Sequence, residues 1–70
     1  MEKSYAEKQL ALAKQHRDQG NESAARDAAL RASSNVLDLP MDDVGAGVET
    51  ADEAIELAER DVTREIIDNL

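Results

Sequence analysis

The sequence lacks the residues that hold many small proteins together. Among its 70 residues there is no cysteine, no tryptophan and no phenylalanine, and Tyr5 is its only aromatic residue. Without cysteine, no disulfide can cross-link the chain. Its stability must therefore come from helix packing, from self-association or from a partner.

Long apolar runs are absent as well. The longest run, residues 10–13, has four residues, whereas a membrane span needs roughly 20. Residues 1–5 (MEKSY) turn polar at once and do not show the apolar region of a secretory signal peptide. We therefore expect a soluble, cytoplasmic protein with no membrane partner.

The apolar residues that are present are mostly small. They make up 41% of the chain, but twelve of the 29 are alanine. A chain of this size buries only about 60% of the surface that its unfolded form exposes. We expect one domain, residues 1–70, with a thin core.

Residues 1–34 predict a helical hairpin. Residues 2–19 are rich in Glu, Lys, Gln, Ala and Leu, which all favour the helical state. Gly20 suits the left-handed end of that helix, and Asn21 suits the cap of a second helix over residues 22–34. The segment 33–35 (SSN) is expected to end the second helix.

Residues 10–32 resemble a single tetratricopeptide-type hairpin. The resemblance rests on small residues and a turn at the family's spacing, namely Ala13, Gly20, Asn21, Ala25 and Ala32. The family's large aromatic positions are not matched, and the sequence contains no second copy of the repeat. The resemblance implies two antiparallel helices and nothing about function.

The segment 35–49 is open to two interpretations. Pro40 and the triplet 45–47 (GAG) are typical of a loop, and Thr50 with Glu53 forms a capping box that starts a helix at residue 50. However, apolar residues keep a heptad spacing through the glycines, at Met41, Val44, Val48, Ala51, Ile55, Ala58 and Val62. We favour a long third helix from about residue 40, with a possible kink at 45–47, whose part over residues 50–70 is acidic and amphipathic.

The length of such a helix predicts an additional contact. A helix over residues 40–69 would be about 45 Å long at ~1.5 Å per residue, against about 25 Å for each helix of the hairpin. The hairpin would then cover only part of the 41–62 heptad seam. This predicts a homodimer or a bound partner at the seam.

No pattern in the sequence favours catalysis or metal binding. His16 is the only histidine, and no activated nucleophile accompanies it. Asp38, Asp42, Asp43 and Glu49 do not have the spacing of a calcium loop. The 45–47 triplet lacks the third glycine and the lysine of phosphate-binding loops. We expect a protein that is not an enzyme and needs no cofactor or metal.

The net charge of −8 is distributed unevenly. Residues 1–34 carry six basic and five acidic side chains, whereas residues 35–70 carry two basic and eleven acidic ones. An acidic half disfavours direct binding of nucleic acid and favours a basic protein surface as the partner. We predict that the binding site contains the carboxylates of Asp42, Asp43, Glu49, Asp52, Glu53, Glu56 and Glu59.

Three functions fit this pattern. The first is an interaction module or inhibitor that docks an acidic helical face on a basic protein, with Leu57, Ile67 and Leu70 as apolar contacts. The second is a nucleic-acid mimic of phage or plasmid origin that blocks a nucleic-acid-binding complex, as anti-restriction and anti-CRISPR proteins do. The third is a helical assembly subunit that oligomerises through the 41–62 seam. We favour the first.

Overall fold

The computed structural model describes residues 5–68 as four helices: α1 (Tyr5–Asp18), α2 (Glu22–Leu37), α3 (Met41–Val44) and α4 (Ala51–Asp68). Side chains are described as far as residue 67. No strand occurs within this range, and the predicted all-α class is confirmed. Helices α1, α2 and α4 pack against one another, and α3 packs on α2.

Helices α1 and α2 form an antiparallel pair joined by a short turn. Gly20 has a φ of +79°, a left-handed conformation that glycine adopts without a steric penalty. The Asn21 side chain accepts a hydrogen bond from the Ala24 backbone N–H at 3.4 Å. Towards the other end, Arg31 Nε donates to Gln9 Oε1 at 3.0 Å. These contacts fix how the two helices are aligned.

Helix α2 continues three residues beyond its predicted end at residue 34. Ser33 is fully buried, so packing outweighs the modest helix propensity of the SSN segment. The helix ends at Asp38, whose left-handed backbone (φ 56°) donates its N–H to the Ser34 carbonyl. The Ser34 hydroxyl in turn donates to the Leu39 carbonyl. A serine that was expected to break the helix thus holds the turn that follows it.

The prediction of one long helix from about residue 40 is wrong. Helix α3 is a single turn, and it ends where the Gly45 N–H donates to the Met41 carbonyl at 2.8 Å. Gly47 then adopts a φ of +80°, which no right-handed helix contains. Helix α4 begins after Thr50, whose Oγ1 accepts from the Glu53 N–H at 3.2 Å. The alternative start at the capping box was therefore the better interpretation.

Because α4 is shorter than the predicted helix over residues 40–69, its length no longer implies a further partner. Helix α4 has 18 residues, which corresponds to about 27 Å. That is similar to the length of α2, with 16 residues. The hairpin is therefore long enough to cover the apolar side of α4.

The heptad spacing over residues 41–62 reflects the core of one chain. Ile55, Ala58 and Val62 of α4 are buried against the hairpin, and Met41 and Val44 pack against the same cluster from a separate segment. Most members of this core are alanines, whose small side chains let the helix backbones approach closely. The buried hydrophobic residues are Ala6, Ala13, Ala25, Ala28, Ala29, Leu30, Ala32, Val48, Ala51, Ala54, Ile55, Ala58 and Val62.

The 38–50 segment runs back along α2 and sets the direction of α4. Arg26 of α2 donates from Nε and Nη2 to the Val48 carbonyl, at 3.0 and 2.9 Å. The Ala51 N–H donates to Glu22 Oε1 at 3.3 Å, so the N-terminal ends of α2 and α4 lie side by side. Helix α4 is therefore parallel to α2 and antiparallel to α1.

Candidate functional site

All seven carboxylates predicted for the binding site belong to exposed residues. Two of them, Asp42 and Asp43, lie in the single turn of α3. Glu49 lies in the loop before α4, and the remaining four lie along α4. They do not form one uniform surface, because helix α1 approaches α4 along one edge only.

Two of these carboxylates are neutralised by α1. Lys14 Nζ lies 3.4 Å from Glu59 Oε1, and Arg17 Nη1 lies 3.6 Å from Asp52 Oδ1. Both pairs are about half exposed or more, so each contributes little to stability. They nevertheless place cations directly beside these two acids, which become a poor target for a basic partner.

Three further carboxylates, in the loop before α4 and on the outer face of α4, have no such cation in the described part of the chain. Among residues 5–67, no ion pair involves Glu49, Glu53 or Glu56. Glu53 Oε2 accepts a hydrogen bond from the Glu49 backbone N–H at 3.2 Å, which leaves the charge of both carboxylates uncompensated. We call these three residues the unpaired acidic surface.

An open groove lies against this surface. It has a volume of about 510 Å³ and runs between the loop over residues 46–48 and the outer side of α4. Its walls combine apolar and charged side chains, and the lining residues are Ala46, Gly47, Val48, Glu53, Glu56, Leu57 and Arg60. The charges at its edge include two of the three members of the unpaired acidic surface.

The acids of α3 occupy a different setting. Asp42 lines a second, smaller groove of about 200 Å³ together with Arg26 and Asp27 of α2. Arg26 is already engaged by the Val48 carbonyl, and it lies 3.9 Å from Asp27 Oδ1. Arg26 thus lines the same groove as Asp42, although no ion pair joins the two side chains.

The three predicted apolar contacts have different positions. Leu57 is half-buried and packs against the core, while its groove side borders the unpaired acidic surface. Ile67 is 60% exposed near the end of α4. Leu70 lies outside the described residues. Two further leucines that α2 and its following turn expose are Leu37 and Leu39.

Arg60 and Asp61 are the pair that sequence reasoning missed. Asp61 is only 5% exposed, although it is charged and lies on the most acidic helix. Its Oδ1 lies 3.4 Å from Arg60 Nε, so the guanidinium of Arg60 is directed to Asp61. The burial of Asp61 could have been predicted from helical spacing, because residue 61 lies one turn after Leu57 and Ala58, on the side of α4 that faces the core.

The groups relevant to catalysis or metal binding are His16 and the acidic side chains. His16 is half-buried, and its Nδ1 has no hydrogen-bond partner among residues 5–67. Within the same part of the chain, no cluster of three or more potential metal ligands occurs. No helix in that part is both long enough and apolar enough to cross a bilayer.

Comparison with known proteins gives no relative. Neither protein-family models nor curated proteins nor solved structures match this chain. The tetratricopeptide resemblance therefore concerns the local hairpin alone. The geometry of the unpaired acidic surface is the basis for the functional proposal.

Proposed function

We propose that the chain is a non-enzymatic interaction module that docks on a basic protein surface through the unpaired acidic surface, Glu49, Glu53 and Glu56. One observation supports this most directly. Helix α1 supplies cations to Asp52 and Glu59, yet no cation within residues 5–67 forms an ion pair with Glu49, Glu53 or Glu56.

The charge that a basic partner meets depends on the side from which it approaches α4. A basic partner that approaches α4 from the α1 side meets Lys14 and Arg17 together with the acids. From the loop side it meets the carboxylates of Glu53 and Glu56 together with Leu57. The basic side chain there, Arg60, is directed to Asp61. Complementary charge would speed the encounter and select the partner, while apolar contact at Leu57 would hold the complex.

A matched pair of double variants tests the proposal. Glu49→Gln with Glu56→Gln removes two charges from the unpaired acidic surface, and Asp52→Asn with Glu59→Gln removes two charges from the paired edge. Both raise the net charge equally. Binding of a labelled peptide of lysine, arginine and serine, followed by fluorescence anisotropy, should weaken about tenfold in the first variant. It should stay close to the wild-type value in the second.

Equal weakening in both variants would contradict the proposal, because net charge alone would then explain the binding. The same proteins can serve as bait in a lysate. Proteins retained by the wild type and by the paired-edge variant, but not by the other, are the candidate partners. Release of such a partner by added DNA would narrow the function to that of a nucleic-acid mimic, and this binding should fall steeply as salt rises.

The assembly alternative requires a different surface from the one predicted. Its seam residues Ile55, Ala58 and Val62 are at most 4% exposed within a single chain. Self-association through them would first require α4 to leave the hairpin. We therefore do not place the homodimer contact at the 41–62 seam.

A further inference from the structure

We propose that the groove between residues 46–48 and α4 receives an arginine side chain of the basic partner. This inference rests on the proposed function and names the chemical group that the surface recognises. Three features of the groove support it: a fixed wall, an apolar floor and two carboxylates one helical turn apart.

Hydrogen bonds to the Val48 backbone fix the loop that forms one wall of the groove. Both Nε and Nη2 of Arg26 donate to the Val48 carbonyl, and the Val48 side chain is buried with only 8% exposed. The Val48 N–H donates to the Gly45 carbonyl at 3.0 Å. A guest side chain thus meets a wall that is already in place, which reduces the ordering that binding requires.

The floor of the groove is apolar and suits the stem of a long basic side chain. Leu57 and Val48 both line the groove and both belong to the core or pack against it. Ala46 completes the opposite side and is exposed. Long basic side chains cover apolar surface with their methylene groups and keep the charged end at the edge.

The charges around the groove favour a cation. Glu53 and Glu56 both line it, and residues three apart on a helix have neighbouring side chains. Glu53 uses Oε2 for the Glu49 N–H, which leaves Oε1 for a guest. Arg60 is the one basic side chain of the lining, and its charge is offset by Asp61 at 3.4 Å.

Arginine fits this arrangement better than lysine. A guanidinium has five donors in a plane and can bond two separate carboxylates at once, whereas an ammonium acts as a compact point charge. It is also less strongly hydrated, so it tolerates the apolar floor. The groove therefore selects arginine by geometry as well as by charge.

The test uses the full chain and single amino acid derivatives as probes. Acetyl-arginine amide should shift the backbone amide NMR signals of residues 46–48 and 53–57 in a saturable manner. Acetyl-norleucine amide, an uncharged analogue, should not shift them, and acetyl-lysine amide should bind more weakly. Equal shifts with arginine and norleucine, or arginine shifts spread over all acidic residues, would overturn the inference.

A steric variant separates the groove from its charges. Ala46→Leu narrows the groove and leaves every carboxylate in place, while Ala11→Leu makes the same change at an exposed position of α1. We expect Ala46→Leu to weaken binding of acetyl-arginine amide about tenfold or more, and Ala11→Leu to leave it unchanged.

The basic peptide distinguishes the two proposals. If Ala46→Leu binds the arginine probe as the wild type does, while Glu49→Gln with Glu56→Gln loses the peptide, the groove inference fails and the proposed function stands. If neither variant affects the peptide, both fail. Circular dichroism of each variant shows whether the helices are intact.

Discussion

Ser33 and Ser34 are adjacent residues whose substitution by alanine should have different effects on stability. Ser33 is fully buried on α2, and its hydroxyl has no hydrogen-bond partner among the described residues. Ser34 is half-buried, and its hydroxyl donates to the Leu39 carbonyl. We predict that Ser33→Ala stabilises the protein and that Ser34→Ala does not.

The magnitude follows from three contributions. Alanine has a higher helix propensity than serine, by about 0.5 kcal/mol at either site. A buried polar group without a partner costs about 1–3 kcal/mol, which Ser33→Ala removes. The loss of the hydroxyl volume offsets part of this gain. We therefore expect Ser33→Ala to raise the free energy of unfolding by about 1–2 kcal/mol.

At Ser34 the balance reverses. The propensity gain is the same, but the hydrogen bond to Leu39 is lost, which costs about 0.5–1.5 kcal/mol. Ser34→Ala should therefore be neutral or destabilise by up to about 1 kcal/mol. Because both changes delete the same atom from the same helix, effects on the unfolded chain largely cancel in the comparison.

Urea denaturation followed by helical circular dichroism measures the difference. The midpoints should move in opposite directions, or only Ser33→Ala should move upwards, with no change in the denaturant slope. For a domain of this size, 1 kcal/mol corresponds to a change of about 4–8 °C in Tm. Equal shifts in the two variants would show that Ser33 has a hydrogen-bond partner, and the reasoning would be refuted.

The remaining predictions concern the loop and the paired edge. Arg26→Met should destabilise by about 2 kcal/mol, because it removes both bonds to the Val48 carbonyl, and urea denaturation checks this. Gly47→Ala should lower the free energy of unfolding by about 1–2 kcal/mol, because an alanine is strained at a φ of +80°. No atom lies within 4 Å of the added Cβ, so a steric clash does not contribute, and a lower Tm would show the effect. Lys14→Met should change stability by less than about 1 kcal/mol, since its pair with Glu59 is exposed, and a larger loss in thermal denaturation would contradict this.

Local signals in the sequence correctly predicted the turn between α1 and α2 and the start of α2, and they offered the start of α4 as an alternative. Gly20 and Asn21 act through their own backbone and side-chain chemistry, so their roles could be recognised without the rest of the fold. The same holds for Thr50, whose hydroxyl caps α4 three residues away. The predicted end of α2 at residue 34 was wrong because Ser33 is buried by the packing of α2 against other helices, and this packing outweighs the modest helix propensity of serine.

The heptad pattern misled the prediction for a related reason. Spacing shows that residues face the same core, but it does not show that one helix carries them. Met41 and Val44 reach the core from α3, and Ile55 reaches it from α4 after a loop with a left-handed glycine. Gly47 was the better evidence, since a glycine can adopt the positive φ that interrupts a right-handed helix.

The division of the acidic surface depends on the tertiary packing of α1 on α4 and was not visible in the sequence. Charge counting treated all seven carboxylates as equivalent. Helix α1 runs antiparallel to α4, which places Lys14 beside Glu59 and Arg17 beside Asp52. Two basic side chains of the hairpin, Lys14 and Arg17, therefore pair with acids of α4 and neutralise part of its charge.

The packing of α1 on α4 also explains why we place the binding surface on the side of α4 that borders the 46–48 loop. The alanine-rich core keeps α4 close to the hairpin, so the basic side chains of α1 reach only its nearer edge. The outer face of α4 borders the 46–48 loop, whose position Arg26 fixes through the Val48 carbonyl. The groove beside this loop is lined by Glu53 and Glu56, which form no ion pair within residues 5–67, so both carboxylates are available to a basic partner.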